Sequence, residues 1–287
     1  MAKIEVIRDA DLPRVCEFLH QQLNSKISVD SWLRSFRVPW SCDRPNYGFM
    51  LRKGDDVLGV CTAVYSERMI RGVKERFCNL TAWCVLPESR GWSLLLLKEL
   101  LDQRGYHFTD LTSLPEVVPI MEKLKFEFLD TTWAIMPNIP WWSPANGGRI
   151  IEEAREIEET LTPAERRTYE DHRGLRSLRH VVVEHSGEHC HIIYVAHKRK
   201  RIRCATVLHV SAPDVLSKSY SLIGSHFLRR HRALLTVWEC RFLSTIPRLS
   251  VRFQSRYRKL YRSESLQPTD IDNLYSELMS VEQPGAL

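Results

Sequence analysis

Apolar positions repeat along this chain with two periods, and each change of period marks a boundary between elements. Ile4–Ile7 alternates like a short strand. Leu12, Val15, Cys16, Leu19 and Leu23 then fall on one face of a helix, with Asp9 ahead of them as a start signal. Ser28–Phe36 predicts a second short helix, ending before Pro39. Strands over Tyr47–Arg52 and Val57–Tyr65 flank Lys53-Gly54-Asp55-Asp56, which has hairpin-turn chemistry. A loop over Met69–Lys74 and a strand over Arg76–Val85 follow. Beyond Pro87–Gly91 an amphipathic helix is predicted to reach Arg104, where Gly105 stops it. A strand over Tyr106–Leu111, a helix over Pro115–Lys125 and one long strand over Phe126–Met136 complete this run.

The pattern is then interrupted by Pro137-Asn138-Ile139-Pro140-Trp141-Trp142-Ser143-Pro144 and Ala145-Asn146-Gly147-Gly148. Proline fixes φ and removes an amide donor while glycine widens the backbone's range, so the stretch suits a linker. Two consecutive domains are expected, residues 1–139 and 145–287, docked through the tryptophan pair. In the second, Arg149–Thr160 and Pro163–His172 read as helices, and Arg179–Glu184, His189–His197 and Ile202–Val210 as strands. A helix over Asp214–Arg230, strands over Leu234–Cys240 and Arg256–Arg262, and a helix over Asp270–Met279 follow. The interval from Val85 to Thr109 resembles that from Val210 to Thr236, which predicts a divergent internal duplication.

Composition changes this picture in three respects. At 287 residues, 44% hydrophobic and 26% charged, the chain can build one large core or two ordinary ones. No apolar run reaches the ~18 residues of a membrane helix, and the opening MAKIEVIRDADLPRV has no apolar leader segment, so a cytoplasmic protein is expected. Eight cysteines without a C-x-x-C pair point to reduced thiols rather than a disulfide frame or zinc site. Charge is divided unevenly: residues 1–170 hold 22 Lys+Arg against 25 Asp+Glu, and residues 171–287 hold 19 against 10. A basic half suits an anionic partner such as a phosphorylated cofactor, sugar nucleotide, polysaccharide or nucleic acid, or is simply a solvated surface.

The most specific local signal follows the strand that ends at Val85. It reads Val85-Leu86-Pro87-Glu88-Ser89-Arg90-Gly91-Trp92-Ser93-Leu94-Leu95. Amides at a helix start carry partial positive charge and lack intrahelical partners, so such a turn can hold a pyrophosphate. The stretch resembles V-x-P-x-x-R-x-x-G-x-G/A, the phosphate-binding motif of the GNAT acyltransferase superfamily. Val85, Pro87 and Arg90 stand in register, while Ser93 and Leu95 replace the two later glycines. Met121-Glu122-Lys123-Leu124-Lys125-Phe126 is similar to the family's Y-E-K-L-G-F, and the resemblance spans about residues 3–136. It extends to uncharacterised bacterial GNAT-like proteins, some associated with polysaccharide loci.

This resemblance implies an α/β fold, a GNAT-like mixed sheet flanked by helices, duplicated as two tandem domains. It implies acetyl-CoA or another acyl-CoA as co-substrate, held by Cys84, Val85, Arg90, Gly91, Trp92, Ser93, Leu94 and Leu95. Strands around Val85 and Phe108 would splay to admit the pantetheine arm, and the acceptor would be an amine or hydroxyl of a small-molecule or carbohydrate-like compound. The proton-transfer positions depart from the family: Asn79 stands where a glutamate base is usual, and Met121 where a tyrosine acid is usual. A thioester is already activated, so an oriented nucleophile gains much from proximity alone. Substitute catalytic candidates are Glu67 and Tyr65 at the end of the third strand and Asp110 on the fifth, with Ser113 beside it. Strand-end Asp and Ser also serve as turn caps. Cys84 is a possible acyl carrier but equally inert packing.

Other clusters are weaker. His189 and His191 share a strand face, yet no carboxylate or cysteine completes a metal set, so no metal is expected. Lys198–Arg201 and Arg229–Arg232 lack interleaved aromatics; Arg252, Arg256, Arg258 and Arg262 with Tyr257 and Tyr261 come nearer, but nucleic acid is disfavoured. In the second half Asp214 stands where a phosphate would sit and would repel it, so one donor site is expected. An acyl-CoA-dependent acyltransferase is the expectation, with a catalytically inactive GNAT-fold binding protein as the alternative.

Overall fold

The computed structural model describes residues 1–140 and 148–281. The expected linker residues from Trp141 to Gly147, with the Trp141–Trp142 pair, lie outside the described residues. Two compact units are present: Met1–Leu129 with residues 257–281, and Asp130–Arg256. The chain passes from the first to the second at Leu129–Asp130 and returns at Arg256–Tyr257, so the units differ from two consecutive stretches divided at residues 139 and 145.

In the first unit β1 (Lys3–Val6) leads to α1 (Leu12–Gln22), whose Leu12, Val15, Cys16 and Leu19 are buried as the period requires. α2 (Val29–Phe36) is capped by Ser28, whose hydroxyl accepts from the Ser31 N–H at 3.2 Å. β2 (Gly48–Lys53) and β3 (Asp56–Ile70) pair through the expected hairpin. The loop expected over Met69–Lys74 is instead a two-residue turn. Arg71 at φ 51° and Gly72 at φ 80° join β3 directly to β4 (Val73–Val85), because two left-handed residues match the twist of paired strands. A 3₁₀ turn over Pro87–Trp92 precedes α3 (Ser93–Leu101), which stops short of the predicted Arg104. β5 (His107–Ser113), α4 (Val118–Lys123) and β6 (Glu127–Leu129) follow.

The single strand predicted over Phe126–Met136 is two strands in different sheets. Asp130 separates them, its Oδ1 accepting from the Thr132 N–H at 2.8 Å and the Thr132 hydroxyl at 2.6 Å, an arrangement that turns the chain. β7 (Thr132–Pro137) opens the second unit. β8 (Gly148–Ile151) occupies what was predicted as a helix start at Arg149; Ile150 and Ile151, β-branched, pair with Val183 and Val182. α5 (Ala154–Thr160) and α6 (Pro163–His172) come next, the latter begun by a Thr162–Glu165 capping box. β9 (Leu178–His185), β10 (Glu188–Arg199) and β11 (Ile202–Val210) are close to prediction. The helix predicted over Asp214–Arg230 is broken into α7 (Pro213–Ser217) and α8 (Tyr220–His231) at Ser219, whose φ of −126° is not helical. β12 (Leu235–Glu239) and the unpredicted β13 (Val251–Gln254) complete the unit. β14 (Arg258–Arg262) and the short α9 (Glu277–Ser280), replacing a predicted helix over Asp270–Met279, return to the first unit.

Each unit holds a seven-stranded mixed sheet. The orders are β1-β2-β3-β4-β5-β14-β6 and, read from the corresponding edge, β8-β9-β10-β11-β12-β7-β13. In both, only the fourth and fifth strands are parallel. In both, the third and fourth carry a bulge, where the register steps from Ala82 to Leu80 or from His209 to Val207. The sixth place is exchanged: β14 from late in the chain sits in the first sheet, and β7 from before the linker sits in the second. In the first unit α1 and α2 pack on one sheet face through Val15, Leu19, Trp32 and Phe36. α3 packs on the other through Leu96, Leu97 and Leu100. Among the described residues no helix is long and apolar enough to cross a membrane.

Candidate active site

β4 and β5 keep parallel register for Phe77–His107, Cys78–Phe108 and Asn79–Thr109 and then stop pairing with each other, although β4 runs on to Val85 and β5 to Ser113. Each keeps its outer neighbour: β3 follows β4 to Val85, and β14 follows β5 to Ser113. The opening is therefore inside the sheet. Its cause is the bulge at Thr81, since an extra residue bends a strand and increases its twist.

At the apex stands Asn79, buried, its Nδ2 donating to the Thr109 hydroxyl at 3.0 Å. Its Oδ1 accepts from the backbone N–H of Glu277 at 2.8 Å, so α9 is seated where the two strands part. The Glu277 side chain is 1% exposed. Its Oε1 accepts from the Leu111 N–H at 2.9 Å and from the Thr112 hydroxyl at 3.1 Å. Its Oε2 is buried and has no hydrogen-bond partner among the described residues. Burial, and then the negative charge of Asp110, push this carboxyl up to about 7. Asp110 is itself pushed up to about 6 by burial, against the Thr112 N–H that donates to it at 3.3 Å. Two carboxyl groups with raised proton affinity thus lie at the strand opening.

The segment that carries Glu277 is anchored from both sides. Arg68 of β3 pairs with Asp272 at 2.5 Å, and Arg71 with Asp270 at 2.8 Å. Tyr275 adopts φ 59°, an uncommon conformation for a bulky residue, and stacks edge-on with Trp40 at 5.2 Å. Val281 joins the core with Trp32 and Phe36. Sequence reasoning passed over Glu277; the available signal was a lone charge in Asn273–Val281, an otherwise uncharged run.

The predicted catalytic residues are dispersed. Asp110 lies in the opening. Tyr65 does not face it as a free acid: its hydroxyl donates to Asn46 Oδ1 at 2.6 Å and accepts from Gln103 Nε2 at 2.9 Å, and burial raises its pKa far above the usual phenol range. Glu67 lies opposite Arg76, on the hairpin side of Asn79, and is paired with Lys74 at 2.6 Å. Ser113 ends β5, and Cys84, half-buried on β4, has its thiol pKa raised by burial, which disfavours thiolate. Met121, on α4, is fully buried.

The motif turn differs from a simple helix start. The Ser89 N–H donates to Leu86 O at 2.9 Å, and the Ser93 N–H caps back to Arg90 O, so two amides of the expected cradle are already bonded within the 3₁₀ turn. The rest of the turn is open. A Cβ on Gly91 would meet nothing within 4 Å, and Trp92, Leu94 and Leu95 are 39%, 55% and 47% exposed. Leu95 belongs to none of the buried core clusters of the first unit. Val85 is half-buried and Arg90 exposed, with no ion pair among the described residues.

The second unit differs at the matching place. β11 and β12 pair in parallel for Cys204–Leu235, Ala205–Thr236 and Thr206–Val237, and the next residue of β12 is Trp238. Trp238 is fully buried in a core with Val210, Val215 and Leu216, edge-on to Tyr220 at 5.5 Å. Trp238 thus holds the strand position that Asp110 holds in the first unit, one residue past the last parallel pair. Nearby, His180 and His191 stack at 5.4 Å, with Nδ1 and Nε2 3.1 Å apart, and His189 meets Glu165 at 2.8 Å. No group of three or more metal-ligating side chains forms among the described residues.

No protein-family model and no curated protein matches this sequence. Solved structures do. The chain is similar to a GCN5-related N-acetyltransferase from Anabaena variabilis, with 11% identity, TM-score 0.59, and 91% of this chain and 72% of that one covered. It is similar to a GCN5-related N-acetyltransferase from Kribbella flavida, with 12% identity, TM-score 0.57 and coverage of 91% and 71%. It is also similar to Saccharomyces cerevisiae N-myristoyltransferase with bound myristoyl-CoA, with 10% identity, TM-score 0.52 and coverage of 96% and 88%. The chain has the GNAT fold.

Proposed function

We propose that the first unit transfers an acyl group, most simply acetyl, from coenzyme A to an amine or hydroxyl of a small or carbohydrate-like acceptor. One observation carries the reading: a sheet that opens between β4 and β5 beyond Asn79–Thr109, beside an exposed turn whose Arg90 has no ion pair among the described residues. The residues fit an acyl-CoA. Arg90 is available to a phosphate, Gly91 leaves room for close approach, and β4 beyond Asn79 has no ladder partner on its β5 side. Bound acyl-CoA supplies an activated thioester; the protein's part is to align the acceptor with it and to receive the acceptor's proton. The fold likeness to N-acetyltransferases and to an N-myristoyltransferase holding myristoyl-CoA supports the donor class. The matched strand orders support reading the two halves as a duplication in which the second, closed by Trp238, has no donor site of its own. Free cysteines throughout suit a reducing, cytoplasmic setting.

Calorimetric titration of the full chain with acetyl-CoA tests the reading. Binding is expected, and Arg90→Glu, which replaces a phosphate partner by a repelling charge, should weaken it about tenfold or more. Absence of binding by acetyl-CoA and by longer acyl-CoAs would overturn it.

A further inference from the structure

We propose that Glu277 is the general base of this acyl transfer, delivered to the strand opening by the C-terminal segment rather than by β4; the assignment rests on the acyl-CoA reading above. Its geometry is specific. Asn79, which cannot accept a proton, holds the Glu277 backbone, so the carboxylate arrives beside the position it replaces although 198 residues separate the two in sequence. Oε1 is spent on Leu111 and Thr112 of β5, which fixes the side chain's direction. Oε2 is buried and has no partner among the described residues. A buried acceptor left unsatisfied is rare, and one at a site of reaction has a use in receiving a proton. The two ion pairs and the left-handed Tyr275 hold the segment in place, as a catalytic group requires.

The step balances without a further reactant. The lone pair of a neutral acceptor amine forms the bond to the acyl carbon. The carbon–sulfur bond breaks with its pair going to sulfur, and the nitrogen's proton passes to Oε2. That proton then goes to the thiolate, leaving an amide, the coenzyme thiol and the original carboxylate. The negative charge of Asp110 favours the protonated form and so helps Glu277 take the proton.

The test separates base from donor site. Acetyl-CoA binding to the full chain is measured by calorimetry, and aminolysis of acetyl-CoA by ethanolamine is followed as coenzyme A release. Glu277→Gln keeps the shape and the two accepted hydrogen bonds, so it is expected to bind acetyl-CoA within about twofold of the native chain while its aminolysis rate falls about 100-fold or more. Glu277→Asp keeps a carboxylate and is expected to fall between them; it decides the matter if the glutamine variant loses binding through misfolding. Intact binding with glutamine-variant turnover within about threefold of native would overturn the assignment, as would native binding with no acceleration of aminolysis. A native chain that binds no acyl-CoA would instead overturn the donor reading and this proposal with it.

Discussion

Removing the negative charge at Glu277 should make the first unit less sensitive to alkali. The carboxyl titrates at about 7 in the folded chain against an ordinary value of 4.5. As pH rises past 4.5 the unfolded chain loses this proton while the folded chain keeps it, so unfolding is increasingly favoured up to about pH 7, where the effect saturates. A shift from 4.5 to about 7 corresponds to roughly 3 kcal/mol of stability present in acid and lost at neutral pH. Asp110, moved from 3.8 to about 6, acts in the same direction. Glutamine cannot ionise, so Glu277→Gln should be close to the native chain at pH 4 and more stable than it at pH 8. The Leu111 amide, which donates to Oε1, is a local probe. Hydrogen exchange of the peptide spanning His107–Ser113 should quicken between pH 5 and pH 8 in the native chain, beyond the intrinsic pH dependence, and much less in the variant. A native-to-variant difference that stays constant across this range would refute the burial argument, because a purely steric effect carries no proton linkage.

Other outcomes follow from the same geometry. Cys84→Ala should leave ethanolamine acetylation within about threefold of native, since a thiol kept protonated by burial is a poor acyl carrier; loss of a trapped acyl-enzyme in mass spectra would contradict this. Gly72→Ala should cost about 1 kcal/mol in urea unfolding, a backbone effect alone, because nothing lies within 4 Å of the added methyl. His180 is held down to about 3 by burial first and by His172 second. Its folded pKa lies below the unfolded 6.5, so the stability it supports is complete above pH 6.5 and lost as pH falls toward 3. His180→Phe should therefore shift acid unfolding of the second unit to lower pH, read by circular dichroism, and an unshifted midpoint would count against it.

Part of the candidate site's framework was legible in the sequence. The Val85–Leu95 turn stands between a strand and a helix as its composition requires, and Asp110 lies at the strand opening. Other readings failed for local reasons. Arg71-Gly72 looked like part of a loop because a two-residue turn needs only one glycine among ordinary side chains. Tyr65 and Glu67 sit at a strand end in sequence, but β3 continues to Ile70, and both are committed to partners, Tyr65 to Asn46 and Gln103 and Glu67 to Lys74.

Sequence by itself determined the period of most elements, the turn chemistry and the position of a strand–turn–helix suited to phosphate, because these depend on backbone preferences within a few residues. Tertiary structure alone decided that β14 and β7 trade sheets, and that Glu277 reaches Asn79. Strand partners far apart in the chain are selected by which edges remain to be covered, and edge pairing uses backbone groups that every residue carries. A glutamate bound for burial is likewise written with the same letter as one bound for solvent. Only the surroundings assembled around it, an aspartate, two donors and an unsatisfied oxygen, set its proton affinity.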